Sequence, residues 1–517
     1  MVFLRFSYSL IASALVMAAA AAADFHPSAV TSDLAKSTLS KSGTICKALS
    51  VFLGDKVSYS CSTAYNSSIA SYWSEQEAEI FPSCVVTPTS KEDVSLAIFI
   101  LNIGSKIFPG QSNFAIRSGG HTPFAGAANI NSGITIDLKN LNKIDVSADK
   151  SVVEIGPGNR WGDVYSVLDK QGLAIPGGRV SIVGVGGLVT GGGISFFSPR
   201  YGFVCDNIEN FEVVLATGQI VNANSKTNPD LWKALKGGSN NFGVVTSFTV
   251  RAFAQGKLWG GFIGLDISTL SKQFQAFEDL TGSANYDPYA ALIFNLVWDV
   301  SSDTWSTAHS LEYTKPQANP PVFQNFTSLP QLFSTMRISN LTDFTVELAA
   351  SNPAGRRQLF VTKTYKNSAA MMASIYQISQ TVVKPLTAIS AIKWSLSFQP
   401  VPTVLLSKAA STGGNSLGLD ASDGKLFNVL LTASWDDAAD DALISTQAKA
   451  LFDQAEVEAK GLGVAHPYLY LNYAAPWQDP ISGYGAESKA NLQAVSKKYD
   501  PAGVFQKNVP GGFKLFR

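Results

Sequence analysis

The stretch Arg117-Ser118-Gly119-Gly120-His121 decides how this chain is interpreted. It follows the apolar run Phe114-Ala115-Ile116, so a strand enters a turn whose two glycines accept backbone angles that other residues avoid. Successive backbone N–H groups in such a turn form a concave anion site that suits a pyrophosphate. His121 lies at the exit of the turn and is one of four histidines in 517 residues. The stretch therefore predicts a phosphate-binding turn with an imidazole beside it.

The composition is that of a globular protein with more than one domain. The chain has 517 residues, of which 46% are hydrophobic and 15% are charged, and it contains 42 glycines. The formal net charge is zero, so we expect neither a nucleic acid nor a membrane surface as a partner. We expect a monomer that acts on a small molecule. None of the four histidines has metal-ligand spacing, and no G-x-S-x-G elbow occurs, so metal and hydrolase sites are not expected.

The N-terminus has the features of a secretory signal. Arg5 precedes the apolar run 11–17, and an alanine-rich stretch ending at Ala23 offers cleavage sites. A membrane anchor is the alternative, but no charged stop-transfer cluster follows and no later run reaches the ~18 apolar residues of a span. We expect a secreted, extracellular protein. Three glycosylation sequons are then expected at the surface, beginning at Asn66, Asn325 and Asn340.

The cysteines fit an oxidising compartment. Cys46, Cys61 and Cys84 lie close together in the sequence, and three pairings among them are possible. We favour Cys46 with Cys84, because the segment between them can fold back as a hairpin of helices, which leaves Cys61 free. Cys205 is expected to be a buried apolar thiol.

Short strands, helices and glycine turns alternate up to about residue 255, and this order predicts an α+β fold. Two more glycine clusters follow the first, at 184–193 and 237–243. Three such turns in one module favour a long dinucleotide lying across the backbone. A Rossmann NAD site is the alternative, but the cluster that begins at Gly184 breaks the G-x-G-x-x-G pattern at Val189. From about residue 256, apolar strands alternate with helices such as 370–382.

The motifs together resemble a known superfamily. Arg117–His121, the glycine-rich run 183–193 and Tyr201–Asn207 are similar to the FAD-binding module of the vanillyl-alcohol-oxidase and p-cresol-methylhydroxylase superfamily. The tail motifs 470–473 and 498–505 resemble its berberine-bridge-enzyme-like branch, in secreted fungal form. The resemblance implies a two-subdomain FAD-binding module of the p-cresol-methylhydroxylase type. It also implies a substrate domain whose antiparallel sheet is covered by helices.

The implied segments are a signal peptide at 1–23, an N-terminal helical segment at 24–79, the FAD-binding domain at 80–255, the substrate domain at 256–465 and a C-terminal segment at 466–517 that returns to the FAD domain.

The resemblance also implies how the cofactor is held. In that family the histidine of the first motif is joined covalently to the flavin, and His121 is the matching residue. Many members carry a second tether, a cysteine, where this chain has Val180. We therefore expect FAD attached once, through His121. The expected cofactor-binding residues are His121, Arg117, Ser118, Gly119, Gly120, Gly178, Val183, Gly186, Gly187, Val245 and Asn472.

The reacting residues are implied in the same way. Tyr473 matches the family tyrosine at the flavin face and is expected to take the hydroxyl proton of the substrate; a buried structural tyrosine is the alternative. Gln399 matches a polar position above the ring and is expected to orient the substrate, because an amide cannot act as a base. Ser397 stands where some relatives have a lysine, and Val183 matches the position that governs dioxygen access.

The sequence thus predicts a secreted FAD-dependent oxidase that passes a hydride from a carbon bearing a hydroxyl or amine to flavin N5 and then gives electrons to dioxygen, producing hydrogen peroxide. Two alternatives stay open. One is a dehydrogenase or oxidative cyclase of secondary metabolism, and the other is a flavin-loaded binding protein without turnover. The sequence does not fix the substrate.

Overall fold

The computed structural model describes residues 43–107 and 110–517. The predicted signal peptide, 1–23, and the following residues up to 42 lie outside this range, so the signal stays a prediction. No helix within the described range is both long and apolar enough to cross a bilayer. The longer α-helices of that range are Thr44–Leu53, Lys91–Ile107, Trp161–Asp169, Leu270–Gly282, Leu341–Ala350, Ala369–Val382, Asp441–Gly461 and Ala486–Tyr499. The shorter ones are Thr63–Ile69, Glu75–Ala78, Val185–Thr190, Ser198–Tyr201, Pro229–Leu235, Gln324–Thr327, Thr403–Leu406, Lys408–Ser411, Pro480–Gly483 and Val504–Lys507.

The first sheet carries the Arg117–His121 motif. Its four strands lie in the order Val57–Ser58, Cys84–Val86, Ile134–Asp137 and Phe114–Arg117. The last three strands are parallel, and the first is antiparallel to its neighbour. Their apolar side chains are buried on both faces, as is usual for parallel strands. The motif therefore begins at the carboxyl end of a strand in a sheet that is covered on both sides.

The disulfide predicted between Cys46 and Cys84 is present and ties the first described helix to this sheet. Cys61 is free and exposed, and Cys205 is free and buried, as expected. Burial raises the pKa of the Cys205 thiol well above its usual value, so this thiol stays protonated. The three sequon asparagines are exposed, and their glycosylation stays a prediction.

The second sheet is antiparallel and has five strands. They lie in the order Ile144–Val146, Val152–Ile155, Val244–Arg251, Ile208–Val214 and Ile220–Asn224. The last two form a hairpin, with Gly218 at a positive φ of 86° in its turn. A short pair, Leu173–Ala174 with Phe253–Ala254, lies beside it.

The third sheet is large and antiparallel throughout. Eight strands lie in the order Gln331–Ser334, Leu258–Leu265, His309–Tyr313, Ala290–Asp299, Lys393–Val401, Leu426–Trp435, Arg357–Lys366 and Ala465–His466. Two more pair beside this path, Thr304–Thr307 and Arg337–Ser339. One face packs on the helices Leu270–Gly282, Ala369–Val382 and Asp441–Gly461 in a core rich in phenylalanine and tryptophan. This architecture confirms the predicted α+β fold with a helix-covered antiparallel sheet.

The residues after His466 return to the first two sheets. Tyr468, Tyr470, Leu492 and Leu515 are buried in the core that surrounds the second sheet. Phe505 packs edge-on against Phe114 of the first sheet, with 6.1 Å between the ring centres. This return path brings the segment 470–473 next to the glycine turns.

Candidate active site

Two of the three predicted glycine turns, those at Gly119 and Gly184, touch each other through their main chains. A Cβ atom on Gly119 would lie 2.5 Å from the Cα of Gly184, and one on Gly184 would lie 2.3 Å from the N of Gly119. Neither residue can therefore carry a side chain. Ser118 joins the turns further, because its Oγ accepts a hydrogen bond from the N–H of Gly186 at 3.0 Å and donates one to the carbonyl of Pro157 at 2.5 Å.

Arg117 holds the first turn from behind. Its guanidinium donates to the carbonyl O of Ser68 at 2.5 Å and to Ser71 Oγ at 2.8 Å, and lies 3.7 Å from the ring centre of Tyr72. The carboxylate of Asp137 is 3.8 Å away, and both charged side chains are buried. This side chain is committed to the protein and does not line the cavity in front of the turn. The side chain therefore holds the loop, and the predicted contact of the Arg117 position with the cofactor stays a prediction.

A cavity of about 1130 Å³ opens in front of the two turns. Eleven of the thirteen predicted site residues line it: Ser118, Gly119, Gly120, His121, Val183, Gly186, Gly187, Val245, Gln399, Asn472 and Tyr473. Val180 lines it as well, as its predicted position near the cofactor requires. Besides Arg117, Gly178 lies outside the lining. A Cβ on Gly178 would stand 2.5 Å from Trp161 Cδ1, so this glycine makes room for the tryptophan, and its contact with the cofactor stays a prediction.

His121 is neutral and has a nitrogen without a partner. Its ring stacks on Trp73, with 4.0 Å between the ring centres and 10° between the planes. Burial, with a smaller contribution from the charge of Arg160, lowers the pKa of His121 from 6.5 to about 3. The Nε2 atom is shielded from water and makes no hydrogen bond to any described residue. A buried polar atom left in this state is costly unless something else satisfies it.

The opposite wall of the cavity is one face of the large sheet. Side chains alternate along a strand, so Trp394, Leu396 and Phe398 enter the core while the residues between them face the cavity. The cavity face is rich in short polar side chains: Asn295, Ser306, Ser395, Ser397, Gln399, Thr432 and Ser434. Ser397 Oγ donates to Asn295 Oδ1 at 2.6 Å, and the Asn295 amide donates to the carbonyl of Ala308 at 2.7 Å.

Three residues from distant parts of the chain meet beside this wall. The Nη2 atom of Arg179 donates to Gln399 Oε1 and, at 2.9 Å, to the phenolic oxygen of Tyr473. The Tyr473 hydroxyl and Gln399 Oε1 are 3.4 Å apart. The sequence singled out Gln399 and Tyr473 but not Arg179, because no local pattern shows that the three converge.

Asn472 supports the end of this cluster. Its amide donates to the carbonyl of Leu188 at 3.1 Å and to the hydroxyl of Tyr470 at 3.0 Å. A Cβ on Gly191 would lie 2.0 Å from Asn472 Oδ1, so the glycine-rich run and the C-terminal segment are in close contact here. Burial raises the pKa of Tyr470, which keeps its hydroxyl protonated. Asn472 thus orients main chain at the cavity edge, and its contact with the cofactor stays a prediction.

The lining fits FAD. Open space lies where a Cβ of Gly187 would stand, and the first two turns present main chain without side chains. The unpaired Nε2 of His121 lies at the same cavity. Among residues 43–107 and 110–517, no group of three His, Cys, Asp or Glu side chains is arranged to hold a metal ion.

Comparison with known proteins agrees with this fit. A family model described as an FAD binding domain matches residues 82–224. An FAD-dependent monooxygenase, CTB5, from Cercospora beticola is 40% identical over 492 residues, which cover 92% of this chain and 93% of the relative. An FAD-dependent monooxygenase, sdcF, from Emericella nidulans is 39% identical over 477 residues and covers 91% and 98%.

Solved structures share the fold. The structure of 6-hydroxy-D-nicotine oxidase from Arthrobacter nicotinovorans matches with a TM-score of 0.72 at 23% identity, over 88% of this chain and 96% of that one. The BBE-like 1 protein of Physcomitrella patens matches with a TM-score of 0.71 at 21% identity, over 91% and 99%. The chain is an FAD-dependent oxidoreductase that belongs to the family of these FAD-dependent monooxygenases, and it has the fold of the BBE-like protein.

Proposed function

We propose that this protein is a secreted FAD-dependent oxidase whose flavin is attached once, through His121. The observation that carries the proposal is the single cavity that joins the glycine turns and the unpaired imidazole of His121 to the cluster of Gln399 and Tyr473. One side of this cavity suits a dinucleotide, and the other side suits a small polar substrate.

Bound FAD would accept a hydride at N5 and pass two electrons to dioxygen, giving hydrogen peroxide. The chain supplies the environment for that chemistry. A histidine that stays neutral keeps a nitrogen lone pair, and a lone pair is what bond formation to the flavin requires. Val180 stands where relatives have the second tether and cannot form a thioether, which supports a single attachment.

Tyr473 is the proposed proton acceptor. A substrate R₂CH–OH loses a hydride from carbon and a proton from oxygen, and the proton passes to the Tyr473 oxygen when that oxygen is deprotonated. Arg179 donates a hydrogen bond to this oxygen at 2.9 Å and holds it at the cavity. Gln399 lies within hydrogen-bonding reach of Tyr473 and can orient the same hydroxyl. Trp73, Phe360 and Leu430 shield the site from water.

Secretion is part of the proposal. It is supported by the signal-like N-terminus and by the Cys46–Cys84 disulfide, since disulfides persist in oxidising compartments. We propose that the protein acts as a monomer. Mass spectrometry of protein from the culture medium should give an N-terminus near residue 24; an intact Met1 would contradict export by cleavage.

A second candidate is a monooxygenase, because curated relatives at 39–40% identity carry that name. A dehydrogenase or oxidative cyclase, and a flavin-loaded protein without turnover, are further alternatives. The experiment is a panel of alcohols, amines, phenols and sugars tested for anaerobic bleaching of the flavin and then for peroxide in air. Peroxide formed in equal amount to product supports the oxidase.

Each alternative gives a different result in that panel. Incorporation of ¹⁸O from ¹⁸O₂ into the product supports the monooxygenase. Fast bleaching with slow recovery in air supports the dehydrogenase, and no bleaching by any compound supports the binding protein. A Val183→Leu variant tests the distinction between oxidase and dehydrogenase. A bulkier residue at this cavity position is expected to slow reoxidation of the flavin in air by about tenfold, or about 1.4 kcal/mol.

A further inference from the structure

Arg179 is a buried cation without a carboxylate partner in the described part of the chain. Its residue exposure is 8%, yet no acidic side chain among residues 43–107 and 110–517 lies within 4.0 Å of its guanidinium. Arg357 is equally buried and pairs with Glu79 at 2.7 Å and with Asp441 at 2.5 Å. A buried charge without a partner is strongly unfavourable, so the unpaired state of Arg179 needs an explanation.

The guanidinium also has hydrogen-bond donors to spare. It carries five N–H groups, and only Nη2 donates to described residues, to Gln399 and Tyr473. The Nε and Nη1 atoms donate to no residue of the described chain. Arg179 lines the cavity, so these donors are available to a molecule bound there.

The buried acid Glu312, whose pKa Arg179 influences, does not neutralise this charge. Glu312 is fully buried, and burial raises the pKa of its carboxyl group to about 8 even though Arg179 acts to lower it. Glu312 is therefore mostly protonated at neutral pH, with Ser310 Oγ donating to its Oε1 at 2.5 Å. The Arg179 end of the cavity thus remains positive.

The other charged residues of the lining are near the solvent. Asp299 is the one carboxylate among the described lining residues, and it is exposed, as is Lys393. Arg356 also lines the cavity, but its charge is matched by Asp436 at 2.7 Å. The cavity therefore has at its buried end a cation that no carboxylate of the described chain compensates, and it offers no carboxylate there to an ammonium group.

We propose that Arg179 binds an oxygen anion of the substrate, so that the protein takes substrates with a phenolate, enolate or carboxylate beside the reacting carbon and excludes ammonium compounds. The inference rests on the proposed function only in placing the substrate in this cavity. Charge-assisted hydrogen bonds from arginine contribute about 1.5–3 kcal/mol, which corresponds to a tenfold or larger preference for the anion.

The test compares two small probes of similar shape, benzoate and benzylammonium. Each is titrated into the purified flavin-loaded protein, and binding is followed by isothermal calorimetry and by the flavin difference spectrum. We expect benzoate to bind at least about tenfold more tightly than benzylammonium. Arg179→Met should weaken benzoate by about tenfold or more and leave benzylammonium no weaker, whereas Arg179→Lys should recover part of the benzoate affinity.

Arg356→Met is the matched control, because it removes a cation of the same cavity that already has a carboxylate partner. It should change the benzoate Kd by less than about twofold. Circular dichroism verifies that each variant is folded. If Arg179→Met does not fold, Arg179→Lys serves as the test variant.

Equal binding of the two probes, no benzoate binding, or unchanged benzoate affinity in both Arg179 variants would overturn the proposal. Failure of the proposed function looks different, because calorimetry still reports binding when the flavin is absent or is never reduced.

Discussion

Two histidines in this molecule stack on an aromatic ring at the same distance but differ in their hydrogen bonds. His121 stacks on Trp73, and His309 stacks on Phe294, in each case with 4.0 Å between the ring centres. Burial lowers the pKa of each imidazole to about 3. Stacking and protonation therefore do not distinguish a residue of the site from a residue of the core.

The hydrogen bonds do distinguish them. His309 Nδ1 accepts from the N–H of Asn295 at 3.1 Å, and its Nε2 lies 2.8 Å from Gln273 Oε1, so both nitrogens are satisfied and the tautomer is fixed. His121 leaves Nε2 unpaired beside a large cavity. The core imidazole is complete within the protein, and the cavity imidazole needs a further partner.

The largest expected effect is on flavin attachment, which should require His121 and not His309. His121→Ala should reduce the flavin that stays with acid-precipitated protein from nearly one per chain to background, because it removes the bonding nitrogen. His309→Ala should retain attached flavin in its folded fraction. The measurement is the absorbance of the washed precipitate together with the mass of the peptide containing residue 121. Flavin still attached after the first change would refute the assignment of His121.

For the free energy of unfolding the order is reversed, and His309→Ala should have the larger effect. His309→Ala leaves the Asn295 N–H unsatisfied and opens a cavity in the core, which should lower the free energy of unfolding by about 3–5 kcal/mol. His121→Ala loses mainly a ring stack, worth about 1 kcal/mol. Urea unfolding followed by far-ultraviolet circular dichroism checks both variants. Equal losses would show that the hydrogen bonds of His309 are not what distinguishes the pair.

The pH dependence of unfolding tests whether the pKa of His309 is lowered in the folded protein. Its folded-state pKa of about 3 lies below the usual 6.5, so the unfolded chain binds the proton more readily, and stability is present above pH 6.5 and lost as pH falls toward 3. Wild type should lose about 2 kcal/mol more than His309→Gln between pH 7 and pH 5. Urea midpoints and slopes at both pH values give the difference. Parallel losses in the two proteins would mean that His309 titrates normally.

The smallest effect concerns the ring beneath His121. Trp73→Leu keeps an apolar side chain but removes the stacking partner, which is worth about 0.5–1.5 kcal/mol. Flavin attachment should slow by about two- to tenfold and still reach completion. The time course is followed by incubating apoprotein with FAD and quenching with acid. Phe360→Leu is the matched control, because Phe360 packs on Trp73 without stacking on the imidazole.

The sequence was most informative where the signal is local. The apolar stripe of Val94, Ala97, Ile98 and Leu101 is buried on the helix Lys91–Ile107, as a period of 3.6 residues requires. The strand Val152–Ile155 buries every second side chain, as the period of two residues in a strand requires. Gly119 and Gly184, which are in contact, belong to two of the glycine clusters that the sequence places in one module.

The sequence was least informative where residues meet from afar. Arg179 is 220 residues from Gln399 and 294 from Tyr473, and no periodicity reports on such an encounter. Arg117 shares its motif with His121, yet its side chain turns the other way to reach Ser68 and Asp137. Motif membership locates the loop but does not say in which direction each side chain leaves it.

The main-chain contact between Gly119 and Gly184 limits how this protein can be redesigned. An alanine at either position meets backbone atoms of the other turn, which cannot swing aside as a flexible side chain would. A second substitution opposite the first cannot relieve the overlap, because glycine is already the smallest residue. Libraries that alter substrate choice should therefore leave both positions untouched and vary the wall formed by the large sheet, where the side chains are short and neighbouring volume is open.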